Sequence, residues 1–474
     1  MTPKLDNPLE HWDETTRRLI AFAGRTAYDG LGAKAVHEAK RRLIDTFASA
    51  FGAYDEPVCV LSRSIAARYH ADAEARVWGS NILTAPDLAA FANGVMVRSL
   101  DVSDTYLGRS RGHPSDMTSG LIAVAELVRA DGKALIEAIS LAYDVYCSFC
   151  EHVDVNAKGW DQPVYGVLGC ALGAAKLMGL SPDQAGHALA LALIPNMALA
   201  QARRGDLSSW KGCAGANASR NAVFAAMLAR EGFTGPPAAF DGSGGLWEAI
   251  GRSEWPLPDE PLIGRTHTKS LPVCYHGQSA VLAALELRAR VDLQQIEDIK
   301  VEAYGTAVFV MGSDASRWAP ATRETADHSL PYCVSIALVD GAVTPASFAD
   351  ARLRDPSVSE LMRKVKVVED PELSALYPEG APGRVTIAMR SGEKHVAEMR
   401  YPNGHAKNPM SDDDIERKFV NLCAGCLGAA QRDQALEMLW RIERLDDVRG
   451  VTALLAGAPR EPRARARHYE GGTK

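Results

Sequence analysis

Aromatic side chains are scarce, at 7% of 474 residues, which gives no hint of a stacked nucleobase or flavin platform. A Gly-rich phosphate loop, a Walker motif and HExxH are all missing, so the usual signatures of nucleotide and zinc-peptidase chemistry are set aside. Long apolar runs are missing too. The longest, Ala188–Ala200, is too short to cross a bilayer and contains Pro195, and no membrane partner is expected. The formal charge is −7 and no basic stripe with interleaved aromatics occurs, which excludes nucleic acid as an expected partner. An anionic ligand must therefore be held by local cations.

The nine cysteines are an odd number scattered through apolar contexts without an N-terminal leader. That usage suits reduced thiols and a cytoplasmic location better than a disulfide framework. Two pairs have CxxC spacing, Cys147 with Cys150 and Cys423 with Cys426, but both sit in helix-like apolar runs and read as small buried hydrophobes rather than a zinc site.

A 47% hydrophobic content over this length exceeds one ordinary core and predicts two domains. From Leu9 to about Ile250 the pattern is a succession of Ala- and Leu-rich helices separated by short Gly, Pro or Asp punctuation. Ser181-Pro182-Asp183-Gln184 combines an N-cap, a first-position proline and a capping-box glutamine, and the apolar helix that follows is expected at the centre of this domain. Prolines cluster in Pro256–Arg265 as in a linker. Beyond it, Ile299–Ala307 alternates as a strand would, and Val385–Tyr401 reads as two strands around Ser391-Gly392-Glu393. Helical segments, His276–Arg290 before the first strand and Ser329–Asp340 after it, accompany them. Helices return at Ser411, with Asp412, Asp413 and Asp414 suited to a first turn. The fold class is thus mainly α: a large all-helical domain from both chain ends (1–265 and 405–458), a smaller inserted α+β unit (266–404), and a mobile tail (459–474).

Four clusters carry reactive side chains. Leu100–Asp116 (LDVSDTYLGRSRGHPSD) packs carboxylates, a Thr, a Tyr, two Arg and a His between apolar runs, a density suited to acid/base work on an anion, although polar loops with helix caps use the same residues. Arg203-Arg204-Gly205-Asp206 precedes SSWKGCAGANASRN, where Lys211 opens a small-residue helix that could hold a carboxylate or merely pack closely. KSLPVCYHGQSA contributes Lys269 and His276 at the domain boundary, where clefts form. Asp327-His328-Ser329-Leu330-Pro331-Tyr332 places a His, a hydroxyl and a phenol at a helix start, as core helices often do.

In this order, and with RETADHSLPYCVSIALVDG and YPNGHAKNPMSDDDIERKF, these blocks resemble the MmgE/PrpD family from about residue 10 to 445. The resemblance implies a helical domain with an α+β lid, a homodimer, no metal or organic cofactor, and a small di- or tricarboxylate as the partner molecule. It implies site roles for Asp101, Thr105, His113, Lys211, His276 and Tyr332, with Lys269, Asn217, Arg109, Arg111 and His328 binding substrate. Family members dehydrate 2-methylcitrate, decarboxylate cis-aconitate or epimerise iminodisuccinate. The decarboxylase has a histidine where this chain has Cys274, which tilts the expectation to a 2-methylcitrate dehydratase-like hydro-lyase. Epimerisation, decarboxylation and a binding-only dimer remain the alternatives.

Removing a proton α to a carboxylate demands cations aimed at the developing charge, and Lys211, Lys269 and Arg109 or Arg111 are the expected ones. Asp101 is the expected base, its pKa raised by burial, while His113 or His276 protonates the departing hydroxyl with Tyr332 and Thr105 as orienting donors.

Overall fold

A computed structural model describes residues 9–70 and 74–456. The tail 459–474, expected to be mobile, lies outside the described residues. The chain is mainly helical, and its buried apolar side chains form two large cores. The larger core draws on Trp12 through Ile263 and again on Met410 through Leu455. The smaller one runs from Val273 to Ala397 and takes in Leu107 from the opening cluster.

Local chemistry fixes the helix starts. Ser181 accepts from the Gln184 backbone and Gln184 reaches back to Ser181, the expected capping box, and prolines open Pro86–Ser99, Pro163–Leu177 and Pro182–Leu193, where a missing N–H costs nothing. The capping box at Ser411 is closed by Asp414, so the acidic first turn of Asp412–Cys423 caps as well as opposing the helix dipole. That returning helix packs on Gly32–Gly52. The central helix differs from expectation. Pro163–Leu177 is buried all round from Pro163 to Ala175, whereas Pro182–Leu193 leaves His187 and Leu191 half-buried and its first turn near the surface.

In the smaller unit a four-stranded sheet runs in the order Val365–Glu369, Ile296–Ala303, Gly383–Met389, Lys394–Met399. Val301 pairs with Val367 in parallel and with Val385 antiparallel. The helices Gln278–Arg288 and Leu330–Asp340 pack on it. The strand expected over Ile299–Ala307 ends at Ala303, where Tyr304 turns the chain into the helix Gly305–Met311.

Two backbone passes join the units. Thr105 and His267 exchange N–H to C=O bonds, both 2.8 Å, and Thr268 N–H donates to Gly404 at 2.9 Å. The His267 and His405 rings stack across them at 4.2 Å. The opening cluster therefore sits at the seam between the two cores, while Pro86–Ser99, which leads into it, packs along Trp210–Arg230.

That last packing depends on a missing side chain. A Cβ on Gly94 would lie 2.8 Å from the Ala216 Cβ and 3.0 Å from its Cα. Gly94→Ala should lower unfolding stability by about 1–3 kcal/mol in urea titrations, the usual cost of overpacking. A gain of about 0.5–1 kcal/mol, as at an open helical glycine, would contradict the close packing.

Candidate active site

The segment Leu100–Asp116 is held from every side. Thr105 Oγ1 donates to the Gly112 carbonyl at 2.9 Å across the small hairpin of Tyr106–Leu107 and Arg111–Gly112. Asp104 accepts from the Ser115 N–H at 3.0 Å and the Tyr143 hydroxyl at 2.8 Å, and the Tyr165 hydroxyl donates to the Arg111 carbonyl at 2.6 Å. The helix Gly132–His152 and its neighbour Pro163–Leu177 thus supply the fixed wall on which the site is mounted.

Asp101 is the electrostatic centre. It is 1% exposed and is held at φ +50°, a left-handed conformation that costs a non-glycine residue about 1 kcal/mol. Its Oδ1 accepts from Lys269 Nζ at 2.6 Å and Arg98 Nη1 at 3.0 Å, while Oδ2 lies 3.4 Å from Lys211 Nζ. Burial alone would raise the Asp101 pKa, but Lys211, Lys269 and Arg98 outweigh it and hold the carboxyl well below its ordinary value. The expected base is therefore an ionised anchor. Lys211 also reaches Asp327 Oδ1 at 3.2 Å, so its charge is shared between two buried carboxylates.

The histidines divide into two kinds. His113 Nδ1–H donates to the Asp104 carbonyl at 2.7 Å, which leaves the lone pair on Nε2. Burial, then Arg98 and Lys269, push its pKa well below 6.5, so the ring is neutral. His276, 2.6 Å from the Tyr304 hydroxyl through Nδ1, is pushed down by burial and by Arg111. His328 behaves oppositely. Burial works against its charge, but Cys274 and Asp327 outweigh burial and Lys211 and raise its pKa. Its Nδ1 sits 2.5 Å from Asp327 Oδ1 and its Nε2 3.7 Å from Asp101 Oδ2. The structure thus holds His113 toward its neutral form and His328 toward its charged form.

These groups meet in a cavity of about 480 Å³ whose walls carry Arg98, Arg111, Arg203, Arg204, Arg317 and Lys269 against Asp101, Asp161 and Asp314. Six cations to three anions leave these walls with a surplus of positive charge. Arg98 is 1% exposed, and its Nη2 has no hydrogen-bond partner among the described residues. Asp101, Cys274 and His328 also bring one ligand-type atom each within 4.8 Å of one another. A divalent cation there would compete with the three cationic side chains that Asp101 already receives.

Residues 17–257 match the MmgE/PrpD N-terminal domain and residues 271–442 the MmgE/PrpD C-terminal domain. The chain belongs to the MmgE/PrpD family. It is 26% identical over 460 residues to a 2-methylcitrate dehydratase of Cupriavidus necator, covering 89% of this chain and 94% of that one. It is also 26% identical over 458 residues to the human cis-aconitate decarboxylase (90% and 91%), and 26% over 440 residues to the 2-methylcitrate dehydratase of Escherichia coli K12 (86% and 89%).

Of the residues that the family resemblance singles out, Asp101, Thr105, Arg111, His113, Lys269, His276 and His328 line the one cavity. Lys211 lies just behind it, 2% exposed, bound to Asp101. Three others stand elsewhere. The Tyr332 hydroxyl donates to the Ser347 carbonyl at 2.5 Å inside the smaller core, Asn217 borders a separate cavity beside Trp210, and Arg109 is exposed at the hairpin turn. Arg98 was not foreseen, since a basic residue in the last turn of a helix reads as a surface partner of the dipole. Arg203, Arg204 and Arg317 complete the cationic wall; only the first two stood in a cluster visible in sequence.

Replacing Asp101 by Asn leaves three buried cations without their shared counter-ion and should cost about 3–5 kcal/mol in chemical unfolding. Because the folded-state pKa of Asp101 is depressed, that contribution is complete above about pH 4 and is lost as pH falls through the folded value. The stability gap between wild type and D101N should therefore be level from pH 7 to about pH 5 and shrink below about pH 4. A gap that opens only above pH 6 would contradict the ionised anchor.

Proposed function

We propose that this protein is a lyase for a small di- or tricarboxylic acid, and that it acts as a 2-methylcitrate dehydratase-like hydro-lyase. The observation that carries this is the pairing of a neutral His113 with a charged His328 on the walls of one cation-rich cavity. Substrate carboxylates take the cavity-lining cations Arg98, Lys269 and Arg111. Fixed cations so placed stabilise the charge that develops on a carboxylate as its α-proton leaves, and losing one commonly costs about 100-fold.

His113 Nε2 removes that proton, with the Asp104 carbonyl stabilising the ring charge through Nδ1–H. His328 delivers its proton to the departing hydroxyl, turning it into water, while Asp327 holds the ring through Nδ1. Thr105, locked onto the Gly112 carbonyl, is a spacer on the wall rather than a proton donor. The α+β unit serves as the lid, with the passes at His267 and Gly404 as its connections, and the working unit is the homodimer that the family resemblance implies. No helix among the described residues is long and apolar enough to cross a membrane.

Decarboxylation is the second reading, favoured by the human relative at the same identity. A proton NMR time course with 2-methylcitrate, citrate, cis-aconitate and iminodisuccinate separates the outcomes. Alkene formed from 2-methylcitrate is expected; carbon dioxide released from cis-aconitate, with no dehydration of any acid, would overturn the hydro-lyase assignment.

The pH profile follows from the two shifts. kcat/KM should fall in acid only well below pH 6.5, as His113 takes up a proton, and fall in alkali above pH 6.5, as His328 loses one. His328→Asn should lower kcat by about 100-fold or more and erase the alkaline limb. An unchanged alkaline limb in that variant would remove His328 as the acid.

A further inference from the structure

Cys274 lines the cavity and has no part in the proton transfers above. Its backbone N–H donates to the Asp327 carbonyl at 2.9 Å, which places its side chain beside His328. Its Sγ, a His328 ring nitrogen and an Asp101 carboxylate oxygen all lie within 4.8 Å of one another. Burial and the Asp101 carboxylate disfavour the Cys274 thiolate, but His328, with a smaller contribution from Lys269, outweighs them and holds the thiol below its ordinary value. Cys59, Cys147, Cys150, Cys170, Cys213, Cys333 and Cys423 are all shifted upward by burial, and none of them borders this cavity. The same cavity is lined by Arg98 and Lys269, two cations that suit an anion.

A thiolate, an adjacent proton donor and a carboxylate anchor in one pocket are the components of conjugate addition. We propose that Cys274 is a covalent attachment site for α,β-unsaturated carboxylates, which Arg98 and Lys269 hold while the sulfur attacks the β-carbon. The sulfur lone pair forms the S–C bond, the alkene π pair moves to the α-carbon and into its carboxylate, and the His328 imidazolium supplies the proton that completes the α C–H bond. The product is a thioether, His328 is left neutral, and no oxidant or reductant is required. The choice of a carboxylate electrophile rests on the polycarboxylate site proposed above. A lyase that forms unsaturated acids meets this electrophile at each turnover, so the addition would act as inhibition by product.

Maleate, a dianionic alkene, and acrylamide, a neutral one, serve as probes on the full chain, with glutathione as the free-thiol reference. Intact mass should show addition of one maleic acid, mapped to Cys274. The ratio of maleate to acrylamide rates should exceed that of glutathione by at least about tenfold, because a bound carboxylate makes the addition effectively intramolecular. Excess citrate should slow the maleate reaction, His328→Asn should slow it at least about tenfold, and Cys274→Ser should abolish it. No adduct at Cys274, or an adduct with the preference of glutathione, overturns the proposal. If the acids turn over in the NMR time course while Cys274 stays unmodified, this inference falls alone. If Cys274 takes up maleate with the expected preference and no acid turns over, the lyase reading falls and the reactive carboxylate site stands.

Discussion

The buried carboxylate of Asp101 holds the site together. Arg98 arrives from the end of Pro86–Ser99, Lys211 from the first turn of Trp210–Arg230, and Lys269 from the pass between the cores, and all three converge on its two oxygens. An isolated carboxylate at this depth would be protonated, and three isolated cations would be excluded. Together they are tolerable, but they leave a surplus of positive charge. Asp327 and Asp116 absorb part of it, and Asp116 itself is pushed up to about 6 by burial despite the Arg98 guanidinium 3.1 Å away. The positive charge that remains on the cavity walls is that of Arg111, Arg203, Arg204 and Arg317, which outnumber Asp161 and Asp314.

The seam between the cores explains why the charges meet there. Lys418, on the returning helix, donates to Asp45, to the Val102 carbonyl at 2.7 Å and to the Lys269 carbonyl at 2.8 Å, so the end of the chain pins both backbones that flank Asp101. Arg42 ties the same crossing through Thr266 at 2.6 Å and Thr268 at 2.8 Å. The helical part therefore fixes Asp101 and His113, while the α+β part brings His276 and His328. On the proposed function, substrate contacts on both sides of the seam would couple binding to the relative placement of the two units.

Much of the fold was legible because its signals are local. The capping box at Ser181 and the two strands around Gly392 depend on neighbours in sequence, and they stand where periodicity and turn chemistry put them. The strand Val365–Glu369 escaped notice because it is five residues long, follows a helix directly and leaves most of its side chains outside the core, so no alternation marks it. The site was legible as a set of residues but not as a set of roles. His113, His276 and His328 are equivalent as letters; what separates them is a carbonyl behind one, a phenol behind the second and a carboxylate behind the third, and which of the nearby polar groups each ring meets is decided by the fold. Tyr332 was misleading for the same reason, since its hydroxyl finds Ser347 in the smaller core before it can find a ligand. Arg98 was hidden by its position: a helix-ending arginine gives no sign in sequence of being 1% exposed.

Assigning proton removal to His113 and proton delivery to His328 divides one reaction between the two sides of the seam. Deuterium wash-in at the substrate α-carbon, followed by mass spectrometry of recovered 2-methylcitrate in heavy water, reads the first half without the second. His328→Asn should still exchange the α-hydrogen while forming little alkene, and His113→Ala should do neither. Exchange that persists in H113A would contradict His113 as the base and, with it, the division of labour around Asp101.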